Sequence, residues 1–109
     1  MGTTKTAEYS LKELSIAKYA KAFSHPARVA ILNLLLKKQA CVCGDIVDEL
    51  PLSQSTVSQH LKELKEIGLI KGDIEGASVC YCIDEKVWNN AKKQLNQLFD
   101  NVNLNSKCC

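Results

Sequence analysis

The chain has 109 residues, of which 46% are hydrophobic and 24% charged. This composition is typical of one ordinary globular domain and argues against disorder. The net charge of +2 is the balance of 14 basic and 12 acidic residues, and is too small to indicate nucleic-acid binding by itself. We predict one domain over 1–109, with a core at about 9–102 and a flexible tail at 103–109.

The opening segment MGTTKTAEYSLKEL contains no apolar run before a cleavage site, so it is not typical of a secretory signal. No stretch approaches the roughly 18 apolar residues of a membrane span. We therefore expect a cytoplasmic protein that does not act in a membrane. In that compartment the six cysteines are expected to be thiols rather than disulfides.

Two amphipathic helices are predicted at the start of the domain. The first, over about 9–23, has apolar residues at three- and four-residue spacing: Leu11, Leu14, Ala17, Ala20 and Phe23. The second is the segment SHPARVAILNLLLKK, in which Pro26 suits the first helical turn because its missing N–H costs nothing there. Its predicted apolar stripe is Val29, Leu32 and Leu36.

The next segment, CGDIVDELPLSQSTVSQHLKELKEIGLI, has the layout of a helix-turn-helix. A short third helix is predicted from the spacing of Val42, Ile46, Val47 and Leu50, and Pro51 ends it. Ser53 is a favourable N-cap for a fourth helix, which ends at Gly68. The predicted buried face of that helix is Val57, Leu61, Leu64 and Ile67.

Two β-prone runs, LIKGDI and SVCYCI, then predict a hairpin. A last helix is predicted from about Glu85 to Val102, with an apolar stripe at Trp88, Ala91, Leu95, Leu98 and Val102. So regular a stripe suits either the core or pairing with a second copy. The predicted fold is mainly α with a β-hairpin wing, in the order α-α-α-α-β-β-α.

A polar face on the fourth predicted helix suits base and phosphate contacts. Short hydrogen-bonding side chains and Lys62 lie roughly opposite Val57, and Lys62, Lys65 and Lys71 would add phosphate contacts. The predicted DNA-binding residues are Gln54, Ser55, Thr56, Ser58, Gln59, Lys62 and Lys71. The alternative is the solvated face of a purely structural helix. His60 lies beside the apolar stripe and is expected to be packed and hydrogen-bonded.

The segments HPARVAILNLL, LSQSTVSQHLKELKEIGLI and EGASVCYCID, in this order, resemble the ArsR/SmtB family of bacterial winged-helix repressors. The resemblance covers roughly residues 14–100. It implies a homodimer joined through the first and last helices, with recognition helices in successive major grooves and the wing at the DNA backbone. It also implies release from operator DNA when a metal or metalloid binds.

The segment CVCGDIV resembles the CVCDLC stretch with which one subgroup of this family senses As(III), Sb(III) or soft divalent ions. Cys41 and Cys43 match its first two thiols, and Val47 takes the place of the third. Thiolates select soft ions. Two thiols two residues apart can hold one atom only on extended or distorted backbone, so we expect binding to disturb the start of the third helix. The alternative is that both cysteines merely pack that start.

A third ligand has two candidate sources, the tail pair Cys108 and Cys109 or the hairpin pair Cys80 and Cys82, and the tail is favoured. No organic cofactor is expected. A zinc site on the last helix is not expected either, because that helix lacks histidine.

Three other functions are alternatives to metalloid sensing. A repressor of the same fold could sense oxidants or persulfide through its thiols. An enzyme is not expected, because the sequence lacks Cys-x-x-Cys, a phosphate-binding glycine loop and HExxH. A plain protein-interaction module is the remaining alternative.

Overall fold

The computed structural model describes residues 8–38, 42–43, 50–75 and 78–102. Within them the elements follow the order α1 (Leu11–Lys21), α2 (Pro26–Lys38), β1 (Val42–Cys43), α3 (Gln54–Ile67), β2 (Ile70–Glu75), β3 (Ser78–Ile83) and α4 (Glu85–Asp100). This order confirms the predicted winged helix, with a hairpin between α3 and the last helix. Within the described ranges, no helix is both long and apolar enough to cross a membrane.

The start predicted for the third helix is wrong. Val42 and Cys43 form a short strand that pairs antiparallel with β3, and the sheet order is β1-β3-β2. A β-branched valine suits a pleated strand, and β3 supplies the hydrogen-bonding partner. The rest of the predicted helix, at 44–49, lies outside the described residues.

Polar side chains cap the helices as the local sequence dictates. Ser10 and Glu13 form a capping box at the start of α1, with each side chain accepting a hydrogen bond from the other residue's backbone N–H. Asp84 caps α4 by accepting from the N–H of Val87 at 3.2 Å. Gly68 ends α3 with a φ of 100°, a conformation that glycine adopts without strain.

The core lies between α3 and α2. All four residues of the predicted α3 stripe are buried, which confirms that prediction: Val57, Leu61, Leu64 and Ile67. They belong to one cluster with Ile31, Leu32 and Leu35 of α2. This packing turns the opposite face of α3 toward solvent.

The stripe predicted for α1 is not its buried face. Leu11 is 86% exposed, and Phe23 is partly exposed with an edge-to-face contact to Trp88 (ring centroids 6.0 Å apart). Tyr19 and Ala22 are the buried residues instead. The helix has apolar side chains on more than one face, so spacing alone cannot select the one that meets the core.

The same ambiguity affects α2. Of its predicted stripe, Leu32 is buried, but Val29 and Leu36 are partly exposed. Ile31 and Leu35 are fully buried instead. An apolar run of this density predicts a helix more securely than it predicts which side of that helix is buried.

Close backbone approach shapes the wing. Gly72 of β2 lies directly opposite Tyr81 of β3. A Cβ at Gly72 would lie 2.6 Å from Cδ1 of Tyr81 and 2.8 Å from the backbone oxygen of Cys80. The hairpin therefore has no room for a side chain at this position.

Candidate nucleic-acid interface and thiol site

The side of α3 opposite the core is polar and exposed. Five of the predicted DNA-binding residues lie exposed on this helix: Gln54, Ser55, Ser58, Gln59 and Lys62. Their amides, hydroxyls and ammonium can donate to base edges and phosphates, and the amides and hydroxyls can also accept. We call these five residues the polar face of α3.

Thr56 differs from the polar face of α3 because it is half-buried and both its backbone N–H and its hydroxyl bond to Ser53. Ser53 caps the helix by accepting from the Thr56 N–H at 3.3 Å, and its hydroxyl donates to Oγ1 of Thr56 at 2.9 Å. The structure thus places Thr56 in the N-terminal cap of α3 rather than on its polar face.

The only arginine is an internal anchor. Arg28 of α2 is 7% exposed and forms an ion pair with Glu63 of α3. Its Nη1 donates to the backbone oxygen of Lys21 at 2.8 Å, and its Nε donates to Nδ1 of His60 at 3.2 Å. The guanidinium therefore fastens α2 and the end of α1 to α3. The prediction that His60 is packed and hydrogen-bonded is confirmed.

The second histidine lies beside the first. The rings of His25 and His60 have centroids 4.9 Å apart, and Nδ1 of His25 accepts from the N–H of Ala27 at 2.9 Å. Burial lowers the pKa of His60, and the nearby charges of His25 and Arg28 lower it further. A neutral imidazole at His60 matches its role as the acceptor for Arg28.

A lysine connects α3 to the wing. Nζ of Lys65 donates to the backbone oxygen of Gly72 in β2 at 3.2 Å. The neighbouring Lys71 is exposed on β2, as a phosphate contact would require. Sequence spacing did not reveal the link through Lys65, because it joins the helix to a strand.

The cysteines of β1 and β3 are brought together by strand pairing. Cys43 lies directly opposite Cys80, and Val42 lies opposite Tyr81. Cys80 is half-buried and disulfide-bonded, so the prediction of thiols throughout is wrong at this residue.

The other predicted ligands are not brought together in the described structure. Cys41, Cys108 and Cys109 lie outside the described residues. Cys82 lines an open cleft of about 940 Å³ between the end of α2 and the start of α4, with Leu35 and Trp88 among its walls. In the described ranges, no three His, Cys, Asp or Glu residues form a group that could hold a metal ion.

The first and last helices contact each other and leave an apolar surface beyond the core. Nδ2 of Asn90 in α4 donates to the hydroxyl of Tyr19 in α1 at 3.0 Å. Along the predicted α4 stripe Ala91 is buried, but Leu98 is 47% exposed. Phe99, also on α4, is 67% exposed. The end of α4 thus presents apolar side chains that the described residues leave exposed.

Comparison with known proteins agrees with this architecture. The family model "Bacterial regulatory protein, arsR family" matches residues 25–71. An uncharacterized HTH-type transcriptional regulator of Methanocaldococcus jannaschii is 42% identical over 65% of this chain and 81% of its own length. A cadmium resistance transcriptional regulatory protein CadC homolog of Staphylococcus aureus is 38% identical over 67% of this chain and 60% of its own.

Among solved structures, a homodimeric winged helix-turn-helix DNA-binding domain from Mycobacterium bovis, a possible ArsR-family regulator, superposes with a TM-score of 0.65. It is 26% identical and the match covers 91% of this chain and 88% of that one. These relatives are transcription regulators rather than enzymes. With its fold and these matches taken together, this chain belongs to the arsR family of DNA-binding transcriptional regulators.

Proposed function

We propose that this protein is a dimeric, cytoplasmic transcriptional repressor that leaves its operator when As(III), Sb(III) or another soft metal ion binds its cysteine thiolates. The observation that carries the DNA-binding part is the exposed polar face of α3 opposite a fully buried stripe. A recognition helix needs both properties, because the stripe fixes its position while the polar face meets the bases.

Within that face we assign base contacts to the two glutamines and backbone contacts to the lysines. A glutamine amide can pair with adenine through two hydrogen bonds, whereas lysine meets phosphates as a point charge. Gln54 and Gln59 are the candidates for bases, and Lys62 and Lys71 those for phosphates. The internal contacts of Arg28 leave no arginine for guanine.

The test uses a duplex selected from a random library by binding to the protein. Gln59→Ala is expected to lower affinity for the selected duplex about fivefold to a hundredfold, with little effect on unrelated DNA. Lys62→Gln should weaken both complexes and reduce the salt slope by about 1 per subunit. Lys93→Gln, an exposed lysine on α4, is the matched control. Wild-type affinity in both α3 variants would contradict the proposed interface.

The uncovered end of α4 supports the dimer. Leu98 and Phe99 leave apolar surface in solvent, and the related M. bovis domain is homodimeric. A second copy packed there would bury this surface. Two recognition helices on one body would also bind two half-sites together, which raises affinity without any new base contact.

The thiols support the proposed signal. Extended backbone puts side chains two residues apart on the same side, and Val42 and Cys43 are extended. Extended backbone at Val42 is the condition under which thiols at positions 41 and 43 would hold one soft ion; Cys41 itself lies outside the described residues. The sulfur donors match such ions, and the S. aureus relative is named for cadmium resistance.

Arsenite titration of the protein–DNA complex in a mobility-shift assay tests this signal. We expect release of the wild-type protein and retention of the Cys41→Ser, Cys43→Ser double variant. Normal release of the double variant would refute the assignment of these two cysteines. The DNA affinity of the double variant without arsenite is the control for folding.

A second candidate function, sensing of oxidants or persulfide, is favoured by the disulfide at Cys80. A cysteine that can form a disulfide in a folded DNA-binding domain can report the redox state around it. Parallel titrations of the reduced complex with arsenite and with hydrogen peroxide separate the two signals. Release by peroxide at lower concentration than by arsenite would favour the redox function.

A further inference from the structure

We propose that Cys80, on the wing strand β3, supplies the third thiolate of the soft-ion site. This inference rests on the proposed function and specifies its site. It replaces the tail cysteines, favoured from the sequence, with a ligand on the part of the fold that approaches DNA. The site would then join the segment before α3 to the wing.

The strand register joins two cysteine positions. Cys43 and Cys80 are directly opposite partners in the β1–β3 ladder. The backbone ladder alone therefore holds the two cysteine positions at one level of the sheet. Cys80 is also disulfide-bonded, which places its sulfur beside another sulfur in the folded chain. Reduction of that bond leaves two thiols at one place.

The position of Cys80 in the sheet makes it a preorganised ligand. It lies on β3, the central strand, which pairs with β1 on one side and with β2 on the other. Two ladders fix its backbone before any ion arrives, so little conformational entropy is lost on binding. Cys82 lies two residues farther along the same strand and lines the cleft beside α2 and α4.

Arsenite binding by thiols leaves the oxidation states of sulfur and arsenic unchanged. Arsenite binds as neutral As(OH)₃, and three thiols replace its three hydroxyl groups. Three As–S bonds form, three As–O bonds break, and three water molecules leave with the thiol protons. A disulfide cannot take part, so the protein must first be reduced by a thiol such as dithiothreitol.

This site would act on the wing directly. The sequence predicts that binding disturbs the start of a helix at residue 42, but that backbone is already extended. A ligand shared by β1 and β3 instead constrains the wing, whose other strand is hydrogen-bonded to α3 through Lys65 and Gly72. Wing and recognition helix would respond together.

X-ray absorption of the reduced, arsenite-loaded protein tests the proposal. We expect three sulfur neighbours around arsenic in the wild type and in Cys108→Ser, Cys109→Ser, and two in Cys80→Ser. Arsenite affinity should fall at least about tenfold in Cys80→Ser, since even the loss of residues that support metal ligands costs about 10–100-fold. Operator binding by this variant without arsenite verifies its fold.

A second measurement does not depend on any variant. In wild-type protein, arsenite should protect Cys43 and Cys80 from alkylation by N-ethylmaleimide, as located by mass spectrometry, and leave Cys108 and Cys109 reactive. Protection of the tail pair in place of Cys80 would overturn the inference.

The remaining outcomes separate this inference from the proposed function. Three sulfurs in Cys80→Ser, or a third sulfur lost in Cys82→Ser or the tail variant instead, would overturn only the inference. Three sulfurs that include Cys80 without release of DNA would overturn only the proposed function. Wild-type protein that binds no arsenic would overturn both.

Discussion

At the scale of single residues, Arg28 is a charged group whose contacts are internal to the fold. Three separate groups accept from or pair with its guanidinium: the Lys21 backbone, His60 and Glu63. A planar fork with five donors suits this arrangement better than a lysine would. The anchor holds α3 against α2, and so determines the direction in which the polar face of α3 points.

We predict that Arg28→Ala lowers the free energy of unfolding by about 3 kcal/mol, because the change leaves partly buried acceptors and a carboxylate without their partner. Urea denaturation followed by circular dichroism measures the loss. Lys18→Ala, at an exposed position on α1, is the control and should change stability by less than about 0.5 kcal/mol. Equal stability of the two variants would contradict the anchoring role.

His60 makes stability depend on pH. Burial, then the charges of His25 and Arg28, lower its pKa in the folded state, so the unfolded chain binds more protons as the pH falls. The contribution is complete above the ordinary histidine pKa and is lost as the pH falls toward the lowered value. We predict that His60→Gln, which keeps an acceptor for Arg28, reduces the loss of stability between about pH 7.5 and 5.5. Parallel slopes for wild type and variant in urea unfolding would disprove this.

The sequence was sufficient for some of these residues and insufficient for others. Packing of His60 follows from its place beside the α3 stripe, and exposure of Gln59 and Lys62 follows from the same helical period. The pairing of Cys43 with Cys80 does not follow, because it depends on a contact between segments far apart in the chain. Side-chain period is local information, and strand register is not.

At the scale of elements, the contrast between α3 and α1 explains which predictions succeed. One face of α3 is apolar and the other polar, so its stripe of Val57, Leu61, Leu64 and Ile67 identifies the core directly. On α1 the predicted stripe includes the exposed Leu11, whereas Tyr19 is buried. β1 has two residues and no period of its own, because it exists through its pairing with β3.

The wing depends on a glycine. Gly72→Ala would place a Cβ against the Tyr81 ring and the backbone oxygen of Cys80, and the backbone cannot move aside cheaply. We predict a loss of about 1–3 kcal/mol in the free energy of unfolding, and weaker operator binding. Lys71→Ala, one residue earlier and exposed, is the matched control for stability in the same urea titration. A Gly72→Ala protein as stable as that control would show that the strands can separate without cost.

At the scale of the whole molecule, the exposed apolar side chains at the end of α4 define how copies would associate. We predict that Leu98→Glu, Phe99→Glu produces a folded monomer, because both positions are already largely in solvent in the single chain. Sedimentation equilibrium measures the mass, and circular dichroism verifies the fold. Operator affinity should fall at least about a hundredfold through the loss of bivalent binding.

The matched control is Asn96→Glu, which places the same charge on an exposed position of the same helix. It should leave the mass of the assembly unchanged. A double variant that still sediments as a dimer would move the interface away from this end of α4. Such a result would leave the fold of the single chain unaffected.

The register of β1 with β3 also determines which part of the chain a disulfide between these strands would enclose. Both α3 and β2 lie between Cys43 and Cys80 in the chain, so a sulfur–sulfur bond across that register would enclose these two elements in one covalent ring. Closing such a ring lowers the conformational entropy of the unfolded chain, which stabilises the folded state by about 4 kcal/mol. The protein would then exist in a cross-linked form and a reduced form that unfold at different temperatures. The thiols and oxidants around the protein would set the proportions of the two forms.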